Sequence, residues 1–155
     1  MAKAACKITG AEELDGELTL TQGQEDAPTI IDGQIRGLAP GLHGFHVHCF
    51  GDFLQDADGA GCGPIFNPFS KAHGAPDDDE RMVGSLGNIE AGEDGVANVH
   101  IEDRLVKLIG PHSVIGRSIT VKAGQDDLGK GGHELSQMTG NSGGRLGGGV
   151  IGISH

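Results

Sequence analysis

Tryptophan and tyrosine are absent, and five phenylalanines hold the aromatic share at 3%. Alone, that poverty beside 29 glycines would point to disorder. Basic residues are also scarce: 11 Lys and Arg stand against 22 Asp and Glu, for a net charge of −11. Such a balance opposes nonspecific binding to nucleic acid or to an anionic membrane surface. The acidic excess reads as solubility. No apolar run approaches the roughly 20 residues that span a bilayer. Residues 1–7 (MAKAACK) carry no signal-peptide core, and no Asn-x-Ser/Thr acceptor occurs, so a cytoplasmic location is expected. Cysteine is limited to Cys6, Cys49 and Cys62. An odd count without a signal peptide favours free thiols. A chain of 155 residues is expected to form one domain, 1–155.

What is present argues for strands. Leu18 and Leu20 alternate with Thr19 and Thr21; Ala97, Val99 and Ile101 alternate with Asn98 and His100. Candidate strands are Lys3–Thr9, Gly16–Gln22, Thr29–Gly37, Leu42–Cys49, Val83–Glu90, Val96–Glu102, Ser118–Lys122 and Gly149–Ser154. Asp32-Gly33, Pro40-Gly41 and Asp94-Gly95 mark turns between them. Many short strands with such turns predict an antiparallel sandwich or barrel. Two long irregular segments, about 50–82 and 123–146, interrupt the pattern and are of a length usually given to function. The acidic run 77–80 (DDDE) reads as a solvated loop tip.

The most informative stretch is Gly41–His48 (GLHGFHVH). Alternation sends Phe45 and Val47 to one face and His46 and His48 to the other. Imidazoles at i and i+2 lie roughly 7 Å apart, close enough to share a metal ion. A transition-metal site needs three or four ligands, and the usual partners are scarce. Cys6 reads as a core residue. Cys49 turns away from the histidine face, and His100, His112, His133 and His155 have no ligand-like spacing.

Gly41–His48 followed by Phe50-Gly51-Asp52 resembles the first copper-ligand strand of the eukaryotic cytosolic type of copper/zinc superoxide dismutase. Phe66-Asn67-Pro68, His73-Gly74, Leu86-Gly87-Asn88, Asp94–Ala97, Ile101–Asp103, Ile115–Arg117, Asp126–Gly132 and Gly149–Ile153 extend the resemblance along the whole chain. It implies an all-β fold, an eight-stranded flattened Greek-key barrel with two long loops, one holding zinc and one shaping the copper channel. It implies that His46 and His48 match the first two copper ligands and that His73 matches a zinc ligand. The position bridging the two metals is Ile65. The remaining zinc positions are Met82 and Ser85, and the last copper position is Lys122. Arg145 matches the arginine that guides the anionic substrate, and His43 matches a buried structural histidine.

The family reaction cycles copper while superoxide is first oxidised and then reduced. With the bridge and most ligands replaced, the expectation is a catalytically inactive pseudoenzyme acting through protein contacts. Expected cofactors are none or weakly bound copper on His46 and His48; zinc is not expected. The alternatives are a copper-binding protein or a dismutase using copper without zinc. A copper-delivery role lacks any Cys-x-Cys or Cys-x-x-Cys motif. The family disulfide cannot form, because its C-terminal position is Gly148, so both long loops lose the anchors the family uses. The resemblance further implies a homodimer through Phe50, Gly51, Ile115, Gly116 and Ile153, or a mixed dimer with an active dismutase subunit.

Overall fold

The computed structural model describes every residue except Glu12 and Ala57. Eight strands run in chain order: β1 (Ala2–Gly10), β2 (Asp15–Gln22), β3 (Thr29–Arg36), β4 (Gly41–His48), β5 (Ser85–Ala91), β6 (Ala97–Asp103), β7 (Ser118–Lys122) and β8 (Arg145–Ser154). They close into a barrel in the order β1-β2-β3-β6-β5-β4-β7-β8, with every neighbouring pair antiparallel. The all-β Greek-key barrel read from the sequence is the observed fold. Closure leaves no open sheet edge. The interior is aliphatic: Ile8, Leu18, Leu20, Ile31, Ile35, Phe45, Val47, Ile119, Val121 and Ile151 are all fully buried. Two phenylalanines, Phe45 and Phe66, among many aliphatic side chains suffice, because each strand contributes alternate residues to the same interior.

Two strands begin more than one residue from the expected start. The fifth starts at Ser85, not Val83, because Met82–Gly84 turns and its backbone pairs with the segment before it. The eighth starts at Arg145, four residues early. Gly147 and Gly148 fall outside the strand read from the sequence, yet Val121 pairs with Gly147 and Thr120 with Gly148. A Cβ on Gly149 would collide with the Lys7 carbonyl oxygen. Glycine here permits close strand approach and is not a sign of disorder.

The long segments between β4 and β5 and between β7 and β8 are tied to the barrel and to each other. The first hydrogen-bonds along β4: Cys49 N to the Pro64 carbonyl, Phe66 N to Val47 and Val47 N to Gly84. Arg81, fully buried, donates to Asp103 Oδ1 at 2.7 Å and to the carbonyls of Pro76, Met82 and Val83. The second segment contains one helical turn, α1 (Ser136–Thr139), and its Lys130 meets Asp78 at 2.8 Å. Asp78 also accepts from Ala75 N, and Glu80 from Ala72 N. The acidic run is therefore more than a solvated tip; two of its carboxylates close the loop. No helix among the described residues is long and apolar enough to cross a membrane.

Candidate metal centre

Strand β4 brings His46 and His48 to one side, as alternation requires, while Phe45 and Val47 enter the core. That side is not a solvated face. His46 is 0% and His48 2% exposed, because the two long segments fold over it. Lys122, at the end of β7, is buried with them. Covering loops, not strand pitch, decide the solvation of these three side chains.

Asp126 is the hub. Its carboxylate accepts from His46 Nε2 at 2.7 Å and from His73 Nε2 at 2.8 Å. It also accepts from Leu128 N, and the Asp126 backbone is clamped on both sides by Asn88. A carboxylate only accepts, so both histidines carry hydrogen on Nε2 and present a lone pair on Nδ1. The His73 lone pair is met by the Ser85 hydroxyl at 2.8 Å. The His46 lone pair is buried with no partner. Burial acts to raise the Asp126 carboxyl, but the hydrogen bonds from His46 and His73 outweigh it and hold it well below the usual range. Burial pushes His46 down to about 4 against the opposing bond to Asp126.

The other end of the site is cationic. His48 Nδ1 donates to the Gly63 carbonyl at 2.7 Å, so its Nε2 lone pair accepts from Lys122 Nζ at 3.1 Å. Burial, then repulsion from Lys122, pushes His48 down to about 2. Burial and the Arg145 charge push the Lys122 amine down to about 7. Arg145 donates through Nη2 to the same Gly63 carbonyl at 2.9 Å, and its Nε is buried without a partner. Ile65 and Met82 are buried in the wall beside His48, and together these side chains line a cavity of about 730 Å³. Cys49 lines it too, although alternation was expected to turn it away; the strand ends at His48.

The donors do not fit zinc. Among its expected positions only His73 offers nitrogen, and Ser85 already satisfies that atom. For copper, the His46 Nδ1 orphan is a suitable donor, but Lys122 occupies the facing nitrogen of His48. One atom each of His46, His73 and Asp126 lie within 4.8 Å of one another. Those contacts are at hydrogen-bond length, so a cation there would have to displace two N–H donors.

The site residues read from the sequence meet in this way: His46, His48, Ile65, Met82, Lys122 and Arg145 converge, and His73 joins them through Asp126. His43 is buried between the carbonyls of Lys122 and Ala39. His100 and His133 are exposed, the first paired with Asp32. All three cysteines are free. Sequence reasoning missed Asp126 and Asn88 as site residues. Both lay inside stretches that carry the resemblance, Asp126–Gly132 and Leu86–Asn88, and those stretches were the available signal. A sequence model of the copper/zinc superoxide dismutase family matches residues 14–151. With the closed eight-stranded barrel and the His46–Asp126–His73 arrangement, that match over most of the chain places this protein in the copper/zinc superoxide dismutase family.

Proposed function

We propose that this chain is a superoxide-dismutase-like pseudoenzyme that acts through protein contacts. The observation carrying this reading is the Lys122 amine 3.1 Å from His48 Nε2, the nitrogen a copper ion would need. The amine occupies that lone pair whether neutral or charged, and its charged form repels Cu²⁺ at that distance. Ile65, at the family's bridging position, has no nitrogen with which to bridge two metals or move a proton. The test is the superoxide-dismuting rate of purified protein, beside its metal content, after loading with copper and zinc. A background rate with no retained zinc is expected. Near-diffusion-limited turnover, or zinc retained stoichiometrically through dialysis against a mild chelator, overturns the proposal.

The contact surface proposed is the family's dimer position. Phe50 and Ile153 are 56% and 81% exposed, and a Cβ on Gly51 would lie 2.7 Å from the Gly116 carbonyl and 3.2 Å from Val150. Ile115 packs partly into the core beside them. Exposed apolar side chains around close-set backbone suit a two-fold contact. A homodimer follows, or a mixed dimer with an active dismutase subunit. Sedimentation at micromolar concentration yields a dimer if this is right and a monomer if it is wrong.

One observation favours a second reading, weak copper binding without zinc: the buried lone pair of His46 Nδ1 has no partner. Copper isotherms of the parent and of His46→Ala/His48→Ala separate the two. Identical isotherms remove this second reading.

A further inference from the structure

The contact face begins just beyond β4, at Phe50. All four backbone polar groups of Cys49 and Phe50 are met within the chain. Cys49 N donates to the Pro64 carbonyl at 3.0 Å and Phe50 N to the Cys62 carbonyl at 2.9 Å. The Cys49 carbonyl accepts from Arg117 Nη1 at 3.0 Å, and the Phe50 carbonyl from the Ser118 hydroxyl at 2.7 Å. Arg117 is itself fixed: its Nε donates to the Ser113 carbonyl, and its guanidinium lies 3.9 Å over the Phe66 ring. Gly116 N donates to the Ile151 carbonyl and Ile151 N to the Arg117 carbonyl, which ties this corner to β8. The far end of the same segment is closed by Arg81 on Asp103 and by His73 N on the Gln137 carbonyl. None of these bonds uses a sulfur or the nitrogen of a family metal ligand's ring. All three cysteines are free, and Cys6 and Cys62 are buried.

We propose that the Phe50 contact face is held in its binding shape by hydrogen bonds within the chain, with no metal ion and no disulfide. Pairing with a second copy is then independent of metal supply and of thiol redox state. A disulfide or a metal orders a loop by tying residues that are distant in the chain. Arg117 and Ser118 make such ties through nitrogen and oxygen, each across 68 residues, to Cys49 and Phe50. They supply anchors where the family's own are missing. A face ordered before association loses little conformational freedom on binding, so this bracing strengthens the pair. The inference rests on the reading that this face makes the contact.

The test compares the purified chain as it stands, after dialysis against EDTA, in dithiothreitol, and after loading with copper and zinc. Sedimentation gives the dimer dissociation constant in each condition, and amide hydrogen exchange reports the face itself. The constants should agree within about twofold. The amides of Cys49, Phe50, Gly116 and Ile151 should keep their protection throughout. A dimer weakened about tenfold or more by EDTA would mean that a metal braces the face. A dimer lost in dithiothreitol would mean that a disulfide joins the copies. Either result, or loss of protection at those amides, overturns the proposal. Ser118→Ala leaves the Phe50 carbonyl unmet, so it should weaken the dimer roughly tenfold and speed exchange at Phe50. No change in either readout also overturns the proposal. If Ser118→Ala fails to fold, the comparison of conditions on the parent chain still decides. A monomer in every condition, with the same amides equally protected, ends the dimer reading alone and supports the bracing.

Discussion

At the His73 end of the buried site a carboxylate accepts hydrogen from two imidazoles, and a serine satisfies the lone pair left over on His73. At the Lys122 end two cations crowd one carbonyl and one imidazole, and a guanidinium nitrogen has no partner at all. The two ends are joined by alternate residues of one strand, since His46 belongs to the first and His48 to the second. They nevertheless differ in how their polar groups are met. Around Ser85 every polar group but the His46 Nδ1 lone pair has a partner. Around Lys122 two cationic groups have no carboxylate within ion-pair distance among the described residues. The Asp126 carboxylate and backbone also fasten the second long segment to β4 and β5, through His46 and Asn88.

The sharpest way to break that contrast is Asp126→Ala. Two buried N–H donors and the Leu128 amide lose their acceptor at once. Removing one member of a buried charged network typically costs about 3–5 kcal/mol, and that loss is expected in urea unfolding. A cost below about 1 kcal/mol would mean that the segment 123–144 is held by other ties.

Acid should act on both ends together. His46 and His48 have folded pKa values near 4 and 2, below the ordinary imidazole value of 6.5. Each therefore binds fewer protons folded than unfolded, and stability falls as pH drops below about 6.5. Asp126, lowered as well, works in the same direction further down, its contribution disappearing as pH falls through its folded value. With Lys122, Arg145 and His73 packed around them, the two imidazoles should give a slope on the order of 2 kcal/mol per pH unit between 6 and 4. Unfolding in urea at stepped pH measures it. His48→Gln should remove about half of that slope.

Lys122→Met probes the cationic end alone. An amine with a folded pKa near 7 binds fewer protons folded than unfolded between about 7 and 10.5, so stability rises with pH across that window. The destabilisation is fully present below pH 7. The methionine variant should therefore be more stable by about 2 kcal/mol at pH 6, with the gap closing toward pH 10. A variant less stable than its parent at pH 6 would show that the His48–Lys122 bond outweighs the buried charge.

Much of this architecture was legible from the residues. Alternation in Leu18–Thr21 and Ala97–Ile101 gave strands, and the resemblance gave the barrel and the positions of Ile65, Met82, Ser85 and Lys122. Solvation was not legible. Alternation says which side of β4 His46 takes, but only the fold of residues 50–84 and 123–144 says that this side is covered. Asp126 was hidden for a similar reason: its partners stand 80 and 53 residues away in the chain. The early start of β8 was obscured because glycine in 147–149 answers a backbone approach set by β1 and β7, which no local pattern reports.

The smallest expected effect tests the His73 end. Ser85→Ala removes the hydroxyl that meets the His73 Nδ1 lone pair, with little change of volume at a fully buried position. An unmet buried acceptor costs about 1 kcal/mol at the low end of the usual range. Asp126 keeps His73 in the same tautomer, so the variant should unfold with unchanged cooperativity and a midpoint shifted by that amount. The same variant leaves both histidine lone pairs open, on His46 and now on His73. Zinc affinity should still not appear, because Met82 and Ile65 supply no further donor. If Ser85→Ala bound zinc tightly, the serine hydrogen bond, and not the missing ligands, would be what keeps that end free of metal.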